Sequence, residues 1–160
     1  MKVLVISDTH GKHENLEKVL GLEQPVDLAV HLGDAEGCEN YIEQMVGCPL
    51  FIVSGNSDFF SALEQEQECE IGKYKVLITH GHYYYVNAGV ECIKREAISR
   101  GCDVVMFGHT HRPLIDYGKN IIAINPGSLS YPRQEGRKPS YIIMEIDEGG
   151  EADFQIRYVE

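Results

Sequence analysis

Six short apolar runs, each halted by a polar motif, constrain this chain more than any other feature. They are "KVLVIS", "DLAVHLG", "PLFIVSG", "KVLITHG", "DVVMFGH" and "NIIAINPG". All are rich in Val and Ile and nearly continuous rather than alternating, the pattern of strands buried on both faces of a helix-covered sheet. Helical patterns separate them: "HENLEKVLGL" with Leu16, Val19 and Leu20, then "ENYIEQMV", then "NAGVECIKREAISRG", which the sequence predicts to end at Gly101. "SYIIMEID" and "ADFQIRYV" predict a closing hairpin with Gly149 and Gly150 in its turn. Strands alternating with helices, then strands alone, predict an α/β layered domain with mixed sheets. With 160 residues and no convincing linker, repeat or cap-sized insertion, residues 1–160 are expected to form one domain.

Charge and cysteine content narrow the setting. A net charge of −11 argues against a nucleic-acid coat or an anionic-membrane binder, both of which need a basic face. The acidic stretches "LEQEQECEIG" and "EIDEGGEADF" read as solvated surface. The start, "MKVLVISDTHG", reads as a first strand rather than a signal peptide, and no run has the length of a membrane span. Cys38, Cys48, Cys69, Cys92 and Cys102 are odd in number, scattered and without a CxxC, which fits reduced thiols and a cytoplasmic location.

The polar motifs share an address. "SDTH", "GD", "GN", "HGH" and "GHTH" each follow an apolar run. In open α/β sheets the carboxyl ends of the strands form one rim, and ligands bind there. Singly, each motif has an ordinary reading. Asp8 or Thr9 serves as a helix cap near His13, Gly33–Asp34 and Gly55–Asn56 serve as turns, and His80 serves as a hydrogen-bonded core histidine. His109 and His111, alternating in an extended segment, would project to the same side. Five such motifs at one rim predict a metal site.

The donors define the metal. Asp8, Asp34, Asn56, His10, His80, His109 and His111 form an oxygen and nitrogen set without thiolate, suited to Mn, Fe, Ni, Co or Zn and unlike structural zinc. Seven side chains exceed the needs of one ion and suit two that share a carboxylate, with Asp34 as the candidate bridge. Two divalent ions, two carboxylates and a bridging hydroxide sum to a net charge of about +1, a site for an anionic substrate. Such a pair activates the hydroxide as nucleophile and stabilises phosphoryl oxygens in an in-line displacement.

"SDTHG", "GD", "GNSD", "HGH" and "GHTH", in this order, resemble the calcineurin-like metallophosphoesterase superfamily. The likeness is closest to its small prokaryotic branch, the YfcE-like phosphodiesterases, and extends through "INPGSLSYPR". The resemblance implies a four-layer α/β/β/α sandwich with two mixed β-sheets and a dinuclear centre, manganese first among its candidate ions. It implies Asp8, His10, Asp34 and His111 at one ion, and Asp34, Asn56, His80 and His109 at the other. Many members carry a histidine directly after the asparagine. Ser57 stands there in this chain, a poor general acid near neutral pH, so activated esters are expected to be cleaved best.

Other residues are weaker candidates. His82 is assigned a catalytic or substrate-contacting role, and Arg133 and Ser57 a substrate-binding one, Arg133 through its fork of donors. His13 falls at a helix start, and His31, inside a strand, reads as a satisfied core histidine. "YYYV", Tyr83 to Val86, suits either a site wall or a homo-oligomer contact. The expected function is a metal-dependent phosphodiesterase acting on small diesters. The alternatives are a phosphomonoesterase, a non-catalytic scaffold such as the retromer coat subunit of this fold, and a nuclease, which the acidic charge disfavours.

Overall fold

The computed structural model describes all residues, Met1–Glu160. The strands are β1 (Lys2–Ile6), β2 (Leu28–His31), β3 (Leu50–Ile52), β4 (Glu66–Ile71), β5 (Tyr74–Thr79), β6 (Val104–Met106), β7 (Pro113–Tyr117), β8 (Ile122–Pro126), β9 (Ser140–Ile146) and β10 (Ala152–Tyr158). The helices are α1 (Glu14–Glu23), α2 (Glu39–Val46) and α3 (Glu91–Ser99).

Two five-stranded mixed sheets, ordered β10-β9-β1-β2-β3 and β4-β5-β6-β8-β7, account for the apolar runs. Because side chains alternate along a strand, each sheet has two faces to bury. Val3, Val5 and Val30 of the first sheet pack with Val76, Ile78, Met106 and Ile124 of the second, forming the central layer boundary. Leu4, Ile6 and Ala29 point the other way and meet Leu16, Val19 and Leu20 of α1 and Ile42 and Val46 of α2. Leu77, Val105 and Ala123 meet Ile93 and Ala97 of α3. The result is the four-layer α/β/β/α sandwich. No helix is long and apolar enough to cross a membrane. All five cysteines are free thiols.

The structure departs from the sequence reading in particular places. "EQECEI", read as solvated surface, is β4, an edge strand whose Ile71 is buried and whose Glu68 and Glu70 are exposed. Charge on an edge strand protects it from pairing with other chains. Pro113 begins β7, also at a sheet edge, where its missing N–H costs no ladder bond. β3 is only half-buried rather than covered on both faces. α1 has His13 at its N-cap with no side-chain cap bond, so neither Asp8 nor Thr9 caps it. α3 begins at Glu91, four residues later than its pattern suggests, and Gly101 adopts φ +71° just beyond its end.

Candidate metal centre

The loops leaving β1, β2, β3, β5 and β6 converge at one rim. Asp8 and His80 are fully buried, Asp34 and His111 nearly so, and His10, Asn56 and His109 form the more open side. Asp8 (φ 55°), His10 (48°), Asp34 (61°), His109 (71°) and His111 (59°) all lie in the left-handed region. Non-glycine residues rarely stay there, and each costs about 1–2 kcal/mol. His109 and His111 therefore converge because their loop coils, not because an extended segment alternates.

Hydrogen bonds orient the imidazoles. His80 Nδ1–H donates to the Leu32 carbonyl at 2.7 Å, His111 Nδ1–H to the Tyr131 carbonyl at 2.7 Å, and His10 Nδ1–H to Glu36 at 2.8 Å. Each bond orients its ring so that Nε2 faces inward, where its lone pair serves a metal once the proton has left. These Nε2 atoms surround Asp8 Oδ1 at 3.1 Å (His111), 3.7 Å (His10) and 3.8 Å (His80). Asp8 Oδ1 is buried and accepts no hydrogen bond. Asp34 Oδ2 lies 3.3 Å from His80 Nε2 and 3.7 Å from His10 Nε2, so it faces donors of both expected ion sets. Asn56 Oδ1 completes the open side, 2.9 Å from His80 Nε2 and 3.0 Å from His109 Nδ1. Asp8, His10 and His111 form one group with metal-ligand spacing, and Asp8, Asp34 and His80 another. Asp8 thus reaches both groups, although the family pattern gives it to one ion.

The electrostatics are those of a cation trap. Burial alone would raise the Asp8 carboxyl, but the imidazoles of His10 and His111 outweigh it and hold it far below the ordinary carboxylate range. Burial likewise opposes ionisation of Asp34, and His80 prevails. Asp8 lifts His10 to about 9 against the effect of burial, with help from Glu36. The carboxylates draw protons onto the imidazoles, and a divalent ion is the competitor that suits the same oxygens and nitrogens.

Several organising residues escaped sequence reasoning. Asp58 accepts from the backbone N–H of Asp34 (2.8 Å), Gly55 (2.7 Å) and Glu36 (2.7 Å), clamping two metal loops together. Its signal was present as the last letter of "GNSD". The "INPGSLS" stretch ties the remaining loops. Ser128 Oγ donates to the Asp8 carbonyl and Ser130 Oγ to that of Thr9, while Asn125 Nδ2 donates to Gly108 and Thr110. A Cβ on Gly108 would lie 2.2 Å from Ser7 Oγ and 2.7 Å from Asp8 Oδ2, so close approach rather than a tight turn requires this glycine.

The weaker candidates separate. His82 sits beside His80 and His109, at ring distances of 5.4 and 6.0 Å, with a buried and unpartnered Nδ1. Ser57 donates its backbone N–H to Asp34 Oδ1 at 2.8 Å. Arg133 donates its backbone N–H to the His111 carbonyl, and its side chain borders the cavity next to His10 and His111. His31 is buried and neutral, held by burial at about 4, and bonded to Thr9 and Gly33. His13 packs against Tyr41 with tilted rings, outside the metal cluster. In "YYYV", Tyr84 is anchored to Glu66 and Val86 is buried, while Tyr83 and Tyr85 are exposed.

This chain belongs to the calcineurin-like phosphoesterase superfamily, whose domain model matches residues 1–149. Among its relatives, the probable metallophosphoesterase YsnB of Bacillus subtilis is 35% identical over 92% of this chain and 85% of its own length. The phosphodiesterase YfcE of Escherichia coli is 29% identical over 92% of this chain and 89% of its own. A crystal structure of a predicted phosphoesterase from Streptococcus pneumoniae superposes with a TM-score of 0.80 at 26% identity, covering 98% of this chain and 97% of its own. The chain is accordingly a hydrolase acting on phosphoester bonds.

Proposed function

We propose that this protein is a cytoplasmic phosphodiesterase that holds two divalent ions, manganese first among them, and hydrolyses small phosphodiesters. One observation carries the reading: Asp8 Oδ1 is buried without a hydrogen bond while three imidazole Nε2 atoms face it within 3.8 Å. A buried carboxylate oxygen without a hydrogen bond, ringed by imidazole nitrogens, is unfavourable unless a cation sits between them, and a divalent ion suits the same oxygens and nitrogens.

Asp8, His10, Asp34 and His111 would hold one ion, and Asp34, Asn56, His80 and His109 the other. Bound there, two divalent ions supply Lewis acidity toward water and toward the phosphoryl oxygens. The chain's own residues do the rest. Leu32, Tyr131 and Glu36 fix the imidazole tautomers, and Asp58 holds the Asp34 and Asn56 loops in register. His82, whose ring lies beside those of His80 and His109, is assigned a substrate-contacting role, with Ser57 and Arg133 as the further substrate-binding residues. With serine in place of histidine after Asn56, leaving-group protonation is weak, which favours esters with acidic leaving groups. A non-catalytic scaffold would be expected to have lost some of these donors, and all seven positions carry competent ones here.

The test is a screen of phosphomonoesters and phosphodiesters against Mn, Ni, Co, Zn and Mg with metal-stripped protein. Hydrolysis of diesters, fastest for nitrophenyl leaving groups and strictly dependent on added metal, is expected. Metal-independent turnover, or rates insensitive to leaving-group acidity, would overturn the proposal.

A further inference from the structure

Beside the metal cluster, a cavity of about 750 Å³ opens between His10, His111, Tyr131 and the arginines Arg112, Arg133 and Arg137. Its size suits a nucleotide-sized group. The chain has six arginines, so half of them border this one cavity. None of these three has a carboxylate within 4.0 Å, whereas Arg100 is paired with Glu66, Glu68 and Glu96, and Arg157 with Glu23. The sixth arginine, Arg95, also lacks a carboxylate partner but borders neither this cavity nor the one beside it. Glu36, the acidic member of the same wall, is already engaged by His10 Nδ1 at 2.8 Å.

Guanidinium groups facing one cavity repel each other, and a phosphate relieves that repulsion while accepting their paired N–H bonds. The loop carrying two of them is internally fixed. Arg133 N–H donates to the His111 carbonyl, Arg137 N–H to that of Gln134, and Arg137 adopts φ 46°. Arg112 and Arg133 also border a second cavity of about 500 Å³ with Val90 and Leu114, an apolar wall for an organic group. Three local cations in a strongly acidic chain suit a small anion rather than a polyanion.

Building on the phosphodiesterase reading, we infer that Arg112, Arg133 and Arg137 form a subsite for a second phosphate of the same substrate. The preferred substrate class is then a diester whose organic arm carries a further phosphate, as in a nucleoside bisphosphate ester.

The experiment uses thymidine 5′-(p-nitrophenyl phosphate) with and without a 3′-phosphate, on metal-loaded wild-type protein and on Arg112→Gln/Arg137→Gln. Binding of thymidine 5′-phosphate and thymidine 3′,5′-bisphosphate is measured by calorimetry alongside. The extra phosphate should raise kcat/KM and affinity by at least about 10-fold in the wild type, mostly through KM. That advantage should fall below about 3-fold in the double variant at unchanged metal content, survive in part in Arg112→Lys/Arg137→Lys, and shrink with added salt. No advantage in the wild type, or one untouched by the Gln substitutions, overturns the subsite. If neither ester is hydrolysed, the phosphodiesterase reading fails, and the calorimetric preference still decides the subsite.

Discussion

Asp8, just past the end of β1, and Glu23, at the end of α1 and paired with Lys2 at the start of β1, are both buried but in opposite company. Glu23 accepts from Lys2 Nζ at 2.7 Å, Tyr141 OH at 2.7 Å, and Arg157 Nη1 at 2.7 and 2.8 Å. Asp8 faces imidazoles and leaves one oxygen without a hydrogen bond. Both carboxyls are held below the ordinary range, Glu23 at about 2 and Asp8 lower still. Burial opposes ionisation at each, and the partners decide the outcome. A buried charge answered by the chain's own cations cannot be removed without stranding them, whereas one left open is completed from outside. The strained backbone follows the same division. Five of the seven candidate ligands have left-handed φ, while Lys2, Glu23, Tyr141 and Arg157 do not.

Substitution at the two sites should therefore have opposite consequences. Asp8→Asn is expected to lower kcat/KM by at least about 10³-fold and abolish tight metal binding. The melting temperature of the metal-free protein should stay level or rise. Glu23→Gln should keep activity within about 2-fold and cost about 3 kcal/mol, roughly 6–12 °C in Tm for a domain of this size. Thermal melts and steady-state assays on both variants check the pair, and a larger Tm loss for Asp8→Asn than for Glu23→Gln would erase the distinction.

Gly108→Ala is the next largest perturbation. Its Cβ would press on Ser7 Oγ and Asp8 Oδ2. Displacing a ligand by a fraction of an ångström should weaken activity about 10–100-fold. The fold remains intact by circular dichroism.

Acid stability reports on the other carboxylate. Glu23 titrates near 4.5 when unfolded and near 2 when folded, a depressed pKa. Its contribution, at most about 3 kcal/mol, is therefore fully present above about pH 4.5 and is lost as pH falls through about 2. Urea midpoints of metal-stripped protein across that window should fall more steeply in wild type than in Glu23→Gln. Ser57→Ala should be the smallest change, less than about 3-fold on a nitrophenyl diester, because its backbone N–H rather than its hydroxyl bonds Asp34.

Legibility in the sequence followed burial. The central strands announced themselves as continuous Val and Ile runs because both of their faces are covered. β4 and β7 did not, since an edge strand alternates and carries charge, as Glu68 and Glu70 do beside Cys69 and Ile71. The seven candidate ligands were readable because strand-exit motifs share a rim. The left-handed coil of the "GHTH" loop was hidden, since nothing in a histidine's identity signals positive φ. The letter of Asp58 was legible in "GNSD" but its clamping role was not, since two of its three bonds go to backbone N–H groups of a loop more than 20 residues away. Arg112 and Arg137 gave no signal at all, because whether an arginine lacks a carboxylate partner is decided only by the fold.

The central claim is that the rim is completed by two metal ions, and a direct stoichiometry tests it. Metal-stripped protein titrated with Mn and measured by elemental analysis after desalting should hold two ions per chain. Asp34→Asn should hold fewer than one. A single ion in the wild type, or two ions retained by Asp34→Asn, would contradict the account.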